Sequence, residues 1–119
     1  MTTSLQEGPV VLIGYEYRLQ LQAEADLFPD GASFAGQMRS AISATVVLAD
    51  LSSAAGSVRR VDDRTLEIIL APAVTGSLVP GSVVLDLVRT DLTPDRHLGF
   101  LLEIPVVLPV TRLPASGEF

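Results

Sequence analysis

The chain of 119 residues has no cysteine, no tryptophan and no lysine, and it holds a single histidine. Without cysteine there is neither a disulfide staple nor a thiolate metal site, so a hydrophobic core has to supply the stability. The compartment stays open, because a thiol-free chain is compatible with any redox poise. His97 is the sole imidazole, and a zinc site built on it would need carboxylates for its remaining protein ligands. Every basic residue is an arginine (Arg18, Arg39, Arg59, Arg60, Arg64, Arg89, Arg96 and Arg112), set against 14 acids for a net charge of −6. That balance repels nucleic-acid phosphate and anionic lipid, so neither nucleic acid nor membrane is expected as a partner. Arg59 and Arg60 are the only adjacent basic pair, and Asp62 and Asp63 follow almost at once. A solvated hairpin loop accounts for them. Long apolar runs are missing too: Met1 to Gly8 has no basic stretch, and the run after it covers only Val10 to Ile13. Neither a signal peptide nor a membrane span is expected, which points to a protein made in the cytoplasm that stays soluble unless a larger particle carries it out.

What the chain does have is period-two patterning. Hydrophobic content of 48% with 18% charged residues is that of one globular domain. From Tyr15 to Ala25 apolar and polar residues alternate without a break, the pattern of a strand with one face on a core and one in water. Pro29, Asp30 and Gly31 then form a turn. A second strand is expected over Ser33 to Arg39, with Phe34, Gly36 and Met38 on one face. Further strands are expected at Thr45 to Asp50, Ser57 to Val61 and Thr65 to Ala71, the last two flanking a turn at Asp62-Asp63, with Leu66, Ile68 and Leu70 inward. Pro72 to Leu78 can hold one helical turn. Ser82 to Thr90 is apolar on both faces and belongs at the centre of a sheet or at a contact surface.

The last strand, Leu98 to Val110, puts Leu98, Phe100, Leu102, Ile104, Val106, Leu108 and Val110 on one face. Pro105 and Pro109 share parity, so their missing N–H donors fall along a single edge, which is expected to be unpaired. About seven strands at this spacing predict an all-β fold, a single β-sandwich over residues 15–112, with an N-terminal arm over 1–14 and a C-terminal tail over 113–119.

The chemical inventory is short. Asp91, Thr93 and Asp95 are spaced like the start of a calcium loop, but the later glycine and bidentate glutamate are missing, and a proline-containing turn explains them. No serine sits in a Gly-x-Ser-x-Gly elbow, and the nine glycines are scattered singly, which leaves no phosphate cradle. No catalytic, cofactor-binding or metal-ligating residue is therefore assigned, and an enzyme is not expected. Tyr15 and Tyr17 share a strand face, where they serve either as core or as a platform for sugar stacking.

The order of segments resembles a family of short immunoglobulin-like sandwich proteins of tailed phages and prophages, similar to the N-terminal domain of upper baseplate proteins. The matching pieces are the strand Tyr15 to Ala25, the Gln37-Met38-Arg39 strand end, Thr65-Leu66-Glu67-Ile68-Ile69-Leu70, the Leu78-Val79-Pro80-Gly81 turn leading into Val84-Leu85-Asp86-Leu87, and Val110-Thr111-Arg112. Val83 and Val84 stand where that family has an aromatic, and Leu102 where it has a glycine. The resemblance implies a virion structural protein, a capsid decoration or a tail or baseplate component. It would dock in symmetric copies on other virion proteins through apolar strand surface and the flanking arms Met1 to Gly8 and Leu113 to Phe119. The competing expectation is a carbohydrate-binding or adhesion module using Tyr15 and Tyr17; a small hydrolase is a third.

Overall fold

A computed structural model describes residues 5–7, 9–99 and 101–111 of the chain. The structure is all-β apart from one helical turn. Its strands are β1 (Leu5–Glu7), β2 (Val11–Leu12), β3 (Tyr17–Gln22), β4 (Phe34–Arg39), β5 (Ala49–Ser52), β6 (Val58–Asp62), β7 (Thr65–Leu70), β8 (Gly81–Arg89), β9 (Arg96–His97) and β10 (Leu101–Val107), with α1 (Pro72–Thr75) between β7 and β8. They form a seven-stranded sheet in the order β1-β10-β8-β4-β5, with β2 also on β10 and β9 on β8, and a three-stranded sheet in the order β3-β7-β6. The strands outnumber those expected from the sequence because β1, β2 and β9 are only two or three residues long.

One core joins the sheets. Leu19, Leu66, Ile68 and Leu70 from the three-stranded sheet share a single buried cluster with Phe34, Met38, Leu85, Leu87, Leu102, Ile104 and Val106 from the larger one. The predicted inward faces are these same residues, because period-two alternation leaves a strand only one way to bury its apolar set. Phe28 and Phe34 meet edge to face with ring centroids 5.8 Å apart, a geometry aromatic quadrupoles favour. At about 1.5–3 kcal/mol for each fully buried large aliphatic side chain, this cluster is the source of stability that a cysteine-free chain requires.

The central position expected for the 82–90 segment is where β8 lies, between β10 and β4. Val83, Leu85 and Leu87 are buried on the inner face, and Val84 is buried on the outer one. Gly36, opposite Leu87 on β4, is needed for close approach: a Cβ there would lie 2.3 Å from the Asp86 carbonyl oxygen and 2.6 Å from Leu87 Cδ2.

Three segments differ from expectation. The regular part of the first strand runs only over Tyr17–Gln22, although Ala23 still donates its N–H to the Arg64 carbonyl at 2.7 Å. The 45–50 strand is displaced to Ala49–Ser52, and Val46 is exposed in the connection. Propensity favoured extended chain at Val46 and Val47, but pairing starts only where Met38 faces Ala49, and the Arg39 guanidinium holds the Ala44 carbonyl at 3.0 Å in the intervening loop. The last strand ends at Val107, so Leu108 and Val110 leave the inward face and stand exposed, while Leu102, Ile104 and Val106 occupy it. The Phe100 side chain lies outside the described residues.

The edge of β10 expected to be unpaired is covered. Residues 5–7 pair in parallel with 101–103, and Val11 and Leu12 pair with Val106 and Val107. The Ile13 N–H donates to the Val107 carbonyl at 3.0 Å, so odd-numbered residues of β10 direct their backbone groups to this side. Pro105 has that parity, as predicted. It falls in the gap between the β1 and β2 pairings, where no donor is called for, and the N-terminal segment fills the edge on either side of it.

Candidate functional site

Of the chemistry-bearing residues singled out from the sequence, His97, Asp91, Tyr15, Tyr17, Arg59 and Arg60 are engaged in holding the fold. His97 Nε2 lies 2.8 Å from Asp86 Oδ2, and the Gly99 N–H donates to His97 Nδ1 at 2.8 Å. A backbone N–H can only donate, so Nδ1 accepts and the neutral ring carries its proton on Nε2, directed at Asp86. Both nitrogens are occupied, which leaves neither a proton-shuttle position nor a ligand lone pair in this arrangement. Asp91 accepts from Arg89 Nε at 3.1 Å, from Arg89 Nη2 at 2.6 Å and from the Ser33 N–H at 3.2 Å. Hydrogen bonding to the Arg89 guanidinium, aided by the Ser33 amide, holds its carboxyl down at about 2. The Asp91 to Asp95 segment is a bent connection between β8 and β9, and no cluster of three or more potential metal ligands occurs among the described residues.

The two tyrosines part company. Tyr17 is buried in the core cluster, its hydroxyl donating to the Pro9 carbonyl at 2.7 Å, and burial pushes its pKa up to about 12. Tyr15 precedes β3, is partly exposed and donates to the Thr111 carbonyl at 2.7 Å. The pair does not form a shared aromatic surface. Instead, each hydroxyl ties a chain-end segment to the start of β3.

The adjacent arginines likewise act in the fold. Arg59 Nη2 lies 2.9 Å from Glu67 Oε1, while Arg60 donates to the Phe28 carbonyl at 2.8 Å and pairs with Asp63. Glu67 is the buried acid of the three-stranded sheet, held from the other side by Arg18 Nη1 at 3.4 Å. The Arg64 N–H donates to Asp62 Oδ1 at 2.8 Å, closing the turn that the sequence located and holding the Asp62 carboxyl below its ordinary value.

What remains open is backbone edge and apolar rim, neither of which sequence reasoning assigned to particular residues. Leu12 and Val107 are register partners and both are exposed; Val10, Leu108, Val79 and Val110 are exposed as well. On the other sheet, β3 pairs with β7 alone among the described residues. The available signal for that edge was the same alternation that identified the strand, in a segment with no proline or glycine to blunt it. The arm Met1 to Gly8 is described only at residues 5–7, which belong to the sheet, and the tail Leu113 to Phe119 lies outside the described residues. Comparison with protein-family models, with curated proteins and with solved structures gives no match to this chain.

Proposed function

We propose that this chain is an immunoglobulin-like sandwich acting as a structural protein of a phage particle, a capsid decoration or a tail or baseplate component that docks on neighbouring virion subunits. The sheet order supports the fold part of the reading. In an immunoglobulin variable-type sandwich one sheet carries strands B, E and D, and the other carries G, F, C and C′. The orders β3-β7-β6 and β10-β8-β4-β5 correspond to those sequences, with α1 at the corner between the strands equivalent to E and F. The N-terminal strands lie on the G-equivalent side instead of beside the B equivalent.

The observation that carries the docking part is the apolar rim. Leu12 and Val107, paired side by side and each about two-fifths exposed, sit on a sheet edge where a monomer in water gains nothing by exposing aliphatic side chains. His97, Asp91, Arg59 and Arg60 are engaged in intramolecular contacts. An acidic, lysine-free exterior adds resistance to nonspecific attachment to nucleic acid. Docking is therefore assigned to surfaces, with no residue in a catalytic or cofactor-binding role. The test is recovery of the protein in purified particles. A copy number matching the capsid lattice indicates head decoration, a few copies per particle indicate tail, and absence from particles overturns the reading.

A further inference from the structure

The open side of β3 has a defined set of backbone groups. One step beyond the ladder, Ala23 donates its N–H to the carbonyl of Arg64, the residue before β7, so the odd residues of β3 bond to that strand. The Ile69 N–H donates to Ser57, which turns the odd residues of β7 toward β6 and agrees with this parity. Arg18, Gln20 and Gln22 therefore direct N–H and C=O away from the sheet. Among the described residues, β3 makes no backbone hydrogen bond outside its ladder with β7.

The other sheet edges are blunted. β6 carries a register shift between Arg60 and Asp62, β5 has four residues, and β1 and β2 have three and two. By contrast, β3 has six residues, without bulge, proline or glycine. Its one charge does not guard the edge, because Arg18 is drawn along the outer face to Glu16 at 3.0 Å and Glu67 at 3.4 Å. Natural sheets normally protect such an edge, and an unprotected one accepts another strand.

We propose that β3 seats a second copy of this chain, its own β3 added antiparallel across a twofold axis through Leu19. The strand is self-complementary in that register. Arg18 faces Gln20 of the other copy, Glu16 faces Gln22, and Tyr17 faces Leu21, so polar side chains continue one face and the core stripe continues the other. The competing register centred on Gln20 sets Glu16 opposite Glu24, and like charges directly opposed across strands destabilise the pair. This inference deepens the docking reading, on which it rests for the expectation of identical neighbours.

Light scattering on the full chain tests it. The wild type is expected to be a dimer and Gln20→Pro a monomer, because proline at that position removes only a donor that faces away from β7. A monomeric wild type overturns the pairing, and so does a dimeric Gln20→Pro. Should Gln20→Pro fail to fold, introduced cysteines decide, as the chain has none of its own. An oxidised mixture of Arg18→Cys and Gln20→Cys is expected to cross-link, whereas either variant alone stays uncross-linked because its thiols sit two residues out of step. Cross-linking of Gln20→Cys alone, or none in the mixture, overturns the Leu19-centred dimer. Recovery in particles of a protein that is monomeric when free would leave docking standing and remove only the pairing.

Discussion

The hydroxyl of Thr75 donates to the Tyr15 carbonyl at 2.8 Å, and the same oxygen accepts the Gly14 N–H at 3.2 Å. Thr75 is fully buried at the end of α1, so one side chain satisfies two backbone groups of the segment entering β3. Thr75→Val keeps the shape and removes both bonds. It is expected to cost about 1–3 kcal/mol, the range for stranding buried polar groups, measured by urea denaturation. Thr75→Ser keeps the hydroxyl and should recover most of that loss. A Thr75→Val variant as stable as the wild type would mean that the hydroxyl's bonds to this segment do not set the stability.

Gly36 is the position where added volume should be least tolerated. The 2.3 Å approach of a Cβ to the Asp86 carbonyl oxygen is to backbone, which cannot rotate away as a flexible side chain does. Gly36→Ala has to spread β4 and β8 at the centre of the larger sheet, at an expected cost of about 1–3 kcal/mol or more. Gly56→Ala is the informative contrast: it has open space around the Cβ but a φ of +84°, so its cost comes from backbone conformation alone. Denaturation midpoints should place Gly36→Ala below the wild type with loss of cooperativity, a feature Gly56→Ala should not show.

Stability at low pH should carry a component from Asp91. Its carboxyl is depressed from 3.8 to about 2 in the folded state, first by the hydrogen bond to Arg89. A depressed folded value means the native state releases its proton more readily than the unfolded chain, so the contribution is complete above 3.8 and is lost as pH falls toward about 2. Thermal midpoints recorded across that window should drop more steeply for the wild type than for Asp91→Asn. The amplitude is modest, because the group is exposed to solvent.

Tyr17 sets the opposite limb. Burial raises its pKa from 10.0 to about 12, so the folded state keeps a proton that the unfolded chain gives up. Stability therefore declines as pH rises from 10.0 toward about 12. An absorbance titration should show a late tyrosinate component that Tyr17→Phe removes, and the variant's stability should be flatter across this alkaline range. Tyr17→Phe also deletes the bond to the Pro9 carbonyl, so a smaller pH-independent loss is expected alongside.

The strand content of this fold was legible because alternation is a local property. Phe34 with Met38, Leu66 with Ile68 and Leu70, and Val83 with Leu85 and Leu87 each state their inward face within a few residues, and all of them are buried. The parity of Pro105 is also a local property, and the direction it gives for the missing donor holds. That edge is covered and not unpaired because its partner lies about a hundred residues away in the N-terminal segment, and nothing in Leu5–Glu7 states its pairing with residues 101–103. Similarly, β-branched Val46 and Val47 favoured a strand that the register of Met38 with Ala49 excludes. For the functional surfaces the limit was different. Tyr15 and Tyr17 share parity in sequence, but burial of one and a hydrogen bond from the other to Thr111 separate their roles. Edge and rim exposure follow from sheet order, which no single segment encodes.

The parallel zipper of β1 and β2 along β10 has a consequence for biosynthesis. Val11 emerges from the ribosome well ahead of Val106, yet its fully sheltered place opposite that residue exists only once Val106 has been made. Until then the aliphatic stretch Val10 to Ile13 lacks its strand partner and is a natural client for a chaperone. A product that stops before residue 101 therefore lacks β10, and its longest strand, β8, is left without that neighbour along one flank, a species prone to clump and to be degraded.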